Sequence, residues 1–168
     1  MTRPSQRERL LAWIRGVLAW WLGMPCLVRW IGVVAVMSVL WWSSSRVPVV
    51  GEPSLTAEVL HNAMHLVAFG GLAMASWCAC RESAGGYGRA ASRIAMIIAV
   101  GYGIVDEVHQ GWVPGRVCST YDVLTDACGA SAAVWMMRVV RGDSLPRAWH
   151  AVLLVVFAML AVVLATFG

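Results

Sequence analysis

The sequence predicts an all-α protein: a polytopic membrane helix bundle of about five transmembrane helices preceded by an N-terminal amphipathic helix. Composition is the first observation behind this prediction. Hydrophobic residues make up 60% of the chain and charged residues 13%, whereas soluble domains have roughly 45–50% and about 25%. The second observation is that the apolar residues fall into about five runs, each close to the roughly 20 residues that cross a bilayer core.

The first element is predicted at residues 7–24, where apolar residues recur at helical spacing between charged ones. A helix of this kind lies in the membrane interface with its apolar face in the lipid. The stretch also resembles a signal peptide, but no small-residue cleavage site follows it, so we expect it to be retained. We therefore divide the chain into a cytoplasmic amphipathic segment, residues 1–26, and a transmembrane domain, residues 27–168.

The predicted spans are separated by loops rich in Gly, Pro, Ser and Arg, which interrupt helices. These loops are predicted near residues 46–53, 81–93, 113–116 and 141–147. The spans themselves are expected at about residues 27–45, 62–80, 94–112, 121–140 and 148–167. Because the third loop is a short turn with a Pro-Gly pair, the third and fourth spans are expected to be antiparallel neighbours.

The arginines indicate how the bundle is oriented. The chain has a net charge of +4, and its 13 basic residues are all arginine. Only Arg46 and Arg116 lie on one side of the predicted spans, and the rest lie on the other. Because cytoplasmic loops carry the excess of basic residues, we expect the N-terminus in the cytoplasm and the C-terminus outside. Topology explains the positive charge better than nucleic-acid binding does, so no nucleic-acid partner is expected.

Residues 102–129 carry many polar groups for a membrane protein. Four of the nine acidic residues lie here, together with His109, Gln110 and Arg116. An ionisable side chain at bilayer depth costs roughly 2.5–3.5 kcal/mol on insertion scales, so such groups mark functional sites by default. The predicted orientation places this stretch, with His65 of the second span, in the outer half of the membrane.

The spacing of the acidic residues predicts one shared site. Asp106, Glu107 and Gln110 can share a face of the third span, because residues three and four apart are neighbours on a helix. Asp122 and Asp126 are four apart on the next span. Carboxyl groups packed in a dry site cannot all ionise, so Asp106 and Glu107 are candidates for a general acid and base. The same group of carboxylates could also bind a cation.

Arg116 is the candidate anion-binding residue, because its guanidinium can grip a phosphate or carboxylate through two parallel bonds. We assign His65, Gln110, Asp122 and Asp126 to ligand binding beside it. A structural interpretation stays open: Arg116 and Asp122 could lock the turn between the spans, and Asp126 or Gln110 could simply form hydrogen bonds between helices.

His61 and His65 are four residues apart, a spacing that zinc-binding helices use. Two such histidines on an apolar helix are a weak signal, so we predict no bound metal and no cofactor and leave a metal near this pair as an alternative. The five cysteines are scattered and are interpreted as small buried residues. Neither a Ser nucleophile motif nor a phosphate-binding glycine loop is present, which leaves open whether the protein is an enzyme.

Taken together, the motif residues resemble the VanZ-like family of bacterial membrane proteins. The match runs over about residues 30–140 in the family's order and spacing. Its elements are His65 with Phe69, Asp106-Glu107-x-x-Gln110, Pro114-Gly115-Arg116 and Asp122-Val123-x-x-Asp126-x-x-Gly129. Two positions depart from the family pattern: Asp126 stands where the family usually has Asn, and Asn62 where it often has Lys. The site is therefore expected to be more acidic than in relatives and to lack one cation.

The resemblance implies a multi-pass protein of the bacterial cytoplasmic (inner) membrane that lowers susceptibility to lipidated glycopeptide antibiotics such as teicoplanin. The partners it suggests are membrane lipids and a lipid-linked cell-wall component or lipoglycopeptide, bound in an outer-leaflet pocket with Arg116. One alternative is a membrane-embedded enzyme that acts on a lipid or cell-wall precursor head group through Asp106 and Glu107. A cation- or proton-coupled transporter is a third interpretation, disfavoured because no internal repeat is evident. The oligomeric state cannot be read from the sequence.

Overall fold

The computed structural model describes residues 5–47, 54–80, 89–141 and 148–167. These residues form six α-helices and no strand. The helices are α1 (Gln6–Gly23), α2 (Cys26–Ser44), α3 (Leu55–Ala79), α4 (Arg89–Gln110), α5 (Thr120–Arg141) and α6 (Ala148–Phe167). The predicted all-α fold is confirmed. Most of the first, second and fourth predicted loops lies outside the described residues.

Four helices are long and apolar enough to cross a membrane, namely α2, α3, α5 and α6. The remaining long helix, α4, has 22 residues and therefore a length of about 33 Å. It is less apolar because Arg89 and Arg93 lie at its start and Asp106 and Glu107 lie near its end. Between them, small buried residues follow one face of α4, which lets neighbouring helices approach closely. The helical membrane bundle that the sequence predicts is confirmed; of its about five expected spans, the third, α4, is less apolar than a membrane span requires, which leaves four among the described residues.

The centre of the bundle is α3, which packs against each of the other five helices. Phe69 and Trp77 in its second half are among the largest fully buried side chains of the described chain. Its closest neighbour is α5, where Gly70 faces the backbone of Gly129. A Cβ at Gly129 would clash with the backbone of Leu66, so this helix contact requires glycine.

Two helices begin earlier than their apolar stretches predict. Leu55 opens α3 about two turns before the predicted second span, because the Ser54 hydroxyl accepts a hydrogen bond from the Ala57 N–H at 3.2 Å. Such a cap satisfies a backbone donor that the first turn of a helix leaves free. Arg89 likewise opens α4 ahead of the third span, and its side chain stays exposed. Polar residues thus extend both helices beyond the parts that are apolar enough for a membrane core.

Contacts from α2 hold it against the central helices. Arg29, near the start of α2, is buried, and its Nη1 donates to the Cys78 carbonyl at 2.8 Å. This bond satisfies a carbonyl at the C-terminal end of α3, where the helix has no internal donor. In the second half of α2, the Met37 carbonyl accepts the Tyr102 hydroxyl of α4 at 2.7 Å. The second half of α2 therefore stands beside α4.

The N-terminal helix α1 packs on α3 and α5. The Arg15 Nε–H donates to the Val140 carbonyl near the end of α5 at 3.1 Å. On the outward side of α1, Trp13 and Trp20 are 66% and 64% exposed, which leaves an apolar stripe available to lipid. The stripe is of the kind that an interfacial helix needs, and the placement of α1 in the interface stays a prediction.

Candidate functional site

The turn between α4 and α5 is built around the Pro-Gly pair. The Arg116 N–H donates to the Val113 carbonyl at 3.1 Å and closes the turn. Gly115 has φ 81°, the left-handed backbone that the third position of a type II turn requires and that glycine adopts without strain. The turn returns α5 alongside α4 and leaves Arg116 within reach of Gln110, the last residue of α4.

Glu107 joins the end of α4 to the start of α5. Its Oε2 accepts the Ser119 backbone N–H at 2.8 Å, and the Ser119 hydroxyl accepts the Asp122 N–H at 3.3 Å. Both bonds satisfy backbone donors at the N-terminus of α5, where the helix dipole also favours negative charge. Glu107 is 2% exposed, so its carboxyl group bonds to the junction between α4 and α5 and not to solvent.

Gln110 forms hydrogen bonds with the two carboxyl groups of α4. Its amide nitrogen donates to Asp106 Oδ2 at 2.8 Å and to Glu107 Oε1 at 3.2 Å. All three side chains are buried, on the shared face that their spacing predicts. Each oxygen of Glu107 therefore has a donor, whereas Asp106 Oδ1 is buried with no hydrogen-bond partner among the described residues.

His65 of α3 and Asp126 of α5 form a buried pair. The His65 Nδ1 lies 3.0 Å from Asp126 Oδ1, and Phe69 stacks on the imidazole with a centroid distance of 5.8 Å. The other oxygen of Asp126 lies against Gly103 of α4, where a Cβ would be 2.6 Å away, and has no hydrogen-bond partner in the described part of the chain. The carboxylate thus fixes the imidazole through Nδ1 and leaves Nε2 for a different partner.

Arg116 contacts neutral groups. Its Nη1 lies 3.4 Å from Gln110 Oε1 and 3.4 Å from His61 Nε2, and its Nε lies 3.4 Å from the Arg46 carbonyl. Across the described ranges, no carboxylate lies within ion-pair distance of this guanidinium. Charge-assisted hydrogen bonds are usually near 2.7–2.9 Å. The guanidinium is therefore held by long bonds and retains the capacity to bind a charged acceptor.

A cavity of about 480 Å³ lies between the second half of α2, the middle of α3 and the end of α4. Its apolar wall is formed by Ala35, Val36, Val39, Leu40, Met64, Ala68 and Phe69. Its polar wall is formed by Ser43, Ser44, His61, His65, Asp106, Gln110 and Arg116. Val39 and Met64 are 62% and 55% exposed, so the apolar wall continues onto the surface that contacts lipid in a membrane.

Comparison with known proteins identifies the family. The family model for VanZ/LLP1 matches residues 17–141. The chain belongs to the VanZ/LLP1 family. The resemblance found in the motifs is thereby confirmed, and the VanZ/LLP1 match includes every site residue described above, while α6 lies outside it. No curated protein and no solved structure matches the chain.

The predicted site residues of this VanZ/LLP1 protein meet in the structure, but they fall into two groups. The group that lines the cavity is His65, Asp106, Gln110 and Arg116. The group that is buried outside the cavity wall, where α3, α4 and α5 meet, is Glu107, Asp122 and Asp126. Members of the first group can touch a ligand in the cavity, whereas Glu107 and Asp126 can orient them through Gln110 and His65.

His61 and Ser119 take part in the site without being assigned to it from their sequence. His61 lines the cavity beside Arg116, and its spacing from His65 was the available signal. Ser119 contributes its backbone N–H to Glu107. The Ser-x-x-Asp pattern before an apolar run marks a helix start, but it does not reveal which side chain meets the backbone. No sequence signal identifies α2 as the apolar wall.

His109 lies away from this cluster. Its imidazole stacks on Trp41 with a centroid distance of 3.7 Å, and its Nδ1 lies 3.3 Å from the Ser44 hydroxyl. His109 therefore ties the end of α4 to the end of α2, beside the cavity rather than within its wall.

Proposed function

We propose that this VanZ/LLP1 protein binds an amphiphile at the outer leaflet of the bacterial inner membrane. The proposed ligand is a lipid-linked cell-wall component or a lipidated glycopeptide, and its capture lowers susceptibility to teicoplanin-type antibiotics. Family membership and the multi-pass membrane fold support the general class. The arginine distribution supports the orientation, because the positive-inside rule places the end of the bundle that carries Arg116 outside.

The cavity is the observation that carries the proposal. Its volume falls in the roughly 300–1,000 Å³ range of small-molecule sites, so it suits a head group and the first part of a tail rather than a whole glycopeptide. Burial of the tail against Val39 and Met64 would contribute about 25 cal/mol for each Å² of apolar surface removed from water. An amphiphile can place its head group against the polar wall and its tail against the apolar wall, whereas a purely polar ligand complements only the polar wall.

Arg116 is the group expected to meet an anionic head. Its present acceptors are an amide oxygen, an imidazole nitrogen and a backbone carbonyl, all at 3.4 Å. A phosphate or carboxylate would replace these long bonds by shorter, charge-assisted ones in a parallel pair. Lys cannot reproduce that planar fork, which makes the Arg116→Lys substitution a specific test.

The experiment that tests this proposal measures antibiotic tolerance in a susceptible bacterium that expresses the protein. Tolerance to a lipidated glycopeptide should rise, and tolerance to an unlipidated glycopeptide should rise much less. Arg116→Lys should remove most of the effect even though it keeps the charge. Arg46→Lys is the matched control, because the Arg46 side chain stacks on Trp42 and does not line the cavity, and it should retain the effect.

Two results of that experiment would refute the proposal. One is equal protection against both drugs, since an apolar tail would then contribute nothing. The other is full protection by the Arg116→Lys variant at expression matched to the wild type, since the guanidinium would then have no role in recognition.

A membrane-embedded enzyme is the second candidate, and Asp106 is the observation that favours it. Asp106 lines the cavity and has an oxygen with no partner among the described residues, the arrangement of a general acid or base that awaits a substrate. Glu107, the other candidate, is held by two donors and is better placed to orient than to react. Purified protein in vesicles should then convert a polyprenyl pyrophosphate precursor, and Asp106→Asn should stop the conversion. Unchanged precursor in the mass spectrum of the wild-type reaction would exclude the enzyme.

A further inference from the structure

His61, His65 and Asp122 form a cluster that the binding of an amphiphile does not require. One ligand-type atom from each side chain lies within 4.8 Å of the other two. The two histidines are one turn apart on α3, and the aspartate comes from the first turn of α5. Two imidazoles and one carboxylate are the donor set of zinc sites that keep an open coordination position.

We propose that these three residues bind a divalent transition metal ion of the zinc class. Imidazole nitrogens favour Zn²⁺, Co²⁺ and Ni²⁺, whereas Mg²⁺ and Ca²⁺ prefer sites built from oxygen alone. His65 and Asp122 are buried and hold their positions, while His61 is exposed and can turn toward the ion. The site thus has two fixed ligands and one adjustable ligand.

Asp126 supplies an independent observation that points to the same ligand. Metal-binding histidines almost always donate their second ring N–H to a carboxylate, a carbonyl or water, which fixes the tautomer and strengthens the ligand. The Asp126 carboxylate lies 3.0 Å from His65 Nδ1, so Nε2 is the nitrogen directed to the ion.

The charge around the cluster also favours a cation. Asp106, Glu107, Asp122 and Asp126 bring four buried carboxyl groups together, and Arg116 makes no ion pair with any of them in the described structure. Asp106 Oδ1 is buried, has no partner among these residues, and belongs to the wall that holds both histidines. Buried charge is costly unless it is paired or bound to a metal, and a divalent ion would offset part of it.

Arg116 links the proposed ion to the cavity. Its Nη1 lies 3.4 Å from His61 Nε2, so a metal that took this nitrogen would release the guanidinium from it. An open coordination position on the ion and the released guanidinium could then both bind one oxygen anion, such as a phosphate. The inference does not rest on the proposed function, because metal binding is measured without any lipid or antibiotic.

The test uses the full-length protein in detergent, stripped of metal with a chelator and titrated with Co²⁺. We expect saturable binding of one ion per chain, with visible d–d absorption of a four-coordinate site containing nitrogen and oxygen ligands. Zn²⁺ should abolish the bands, because nitrogen and oxygen sites bind Zn²⁺ more tightly than Co²⁺. A wild-type protein that gives no saturable bands would overturn the proposal.

The variants separate ligation from loss of fold. His61→Ala should abolish the bands with an unchanged melting curve, because His61 is exposed. Asp126→Asn should weaken Co²⁺ binding by about 10- to 100-fold, the usual effect of losing such a partner. His150→Ala is the control, because His150 stacks on Trp149 in α6, and its binding should match the wild type. Full Co²⁺ affinity in the His61→Ala protein would show that these residues are not the ligands.

Discussion

At the scale of single residues, Asp106 and Glu107 are adjacent in sequence but have different surroundings. The sequence predicts a pair of acid–base candidates and cannot separate them. The difference arises because the α4–α5 turn carries the Ser119 N–H back to Glu107, and the path of a turn is not readable from residue types. Asp106 instead reaches the cavity wall with one oxygen unpartnered among the described residues. The two residues should therefore respond differently to substitution.

Asp106→Asn should abolish antibiotic tolerance while the protein melts no lower than the wild type. Asp106 retains a buried oxygen with no partner among the described residues, and removal of a functional charge often leaves stability unchanged or improved. Thermal unfolding of the detergent-extracted protein, read beside the tolerance assay, checks both parts. A drop of several degrees in the melting temperature, together with the loss of tolerance, would favour a purely structural role for Asp106.

Glu107→Gln should lower the free energy of unfolding by roughly 1.5–3 kcal/mol, the range for a hydrogen bond to a charged group. If the glutamine keeps its oxygen as the acceptor of the Ser119 N–H, its NH₂ group replaces the oxygen that accepts from the Gln110 amide. Two donors then face each other and the hydrogen bond with Gln110 is lost. Glu58→Gln, at an exposed position in the first turn of α3, is the control and should melt like the wild type. Identical melting of the Glu107→Gln protein would show that Glu107 does not stabilise the junction.

At the scale of helices, the sequence predicts where the spans lie and that the third and fourth are neighbours, but not how the other helices pair. The length and composition of the apolar runs locate the spans. Helix pairing depends on which small residues meet, and the chain has 16 glycines. Gly103 faces Asp126 and Gly129 faces Leu66, whereas a Cβ at Gly101 would meet no atom within 4 Å. Only the folded bundle distinguishes these glycines, so the central position of α3 could not be foreseen.

Gly129→Ala should destabilise the protein by about 1–3 kcal/mol or more, as is typical of overpacking in a tight core. The added methyl group would clash with the Leu66 backbone and force α3 and α5 apart. Gly101→Ala is the matched control, since it adds the same group in open space within α4 and should be neutral or stabilising. The measurement compares the melting curves of the two variants in the same detergent. Equal curves would mean that α3 and α5 do not pack this closely.

At the scale of the whole molecule, the polar site lies at one end of the bundle. The α4–α5 turn belongs to this end, and the start of α4, with Arg89 and Arg93, belongs to the other. The arginine distribution predicts that the end with the site faces out. This orientation follows from sequence counts and the positive-inside rule alone, since packing within the bundle is the same in either orientation.

Cysteine labelling of intact cells should reveal that orientation. Cys118 is exposed in the turn between α4 and α5, and not buried as its sequence suggested. A variant that keeps Cys118 alone should react with a membrane-impermeant maleimide. A variant whose single cysteine is introduced by Ala90→Cys, at an exposed position in the first turn of α4, should react only after the cells are opened. The reverse pattern would place the site in the cytoplasm and exclude an outer-leaflet ligand.

In the proposed function, the cavity holds the anionic head of a lipid-linked molecule against Arg116. The most direct measurement is the affinity of the purified protein in lipid nanodiscs for a polyprenyl pyrophosphate and for the same polyprenol without its phosphates. We predict that the wild type prefers the pyrophosphate lipid, and that Arg116→Lys weakens this binding by about 10-fold or more, or ~1.4 kcal/mol. Arg46→Lys should bind like the wild type. Equal affinity of the wild type for the two lipids, or an Arg116→Lys protein that binds as tightly as the wild type, would show that Arg116 does not hold an anionic head group in the cavity.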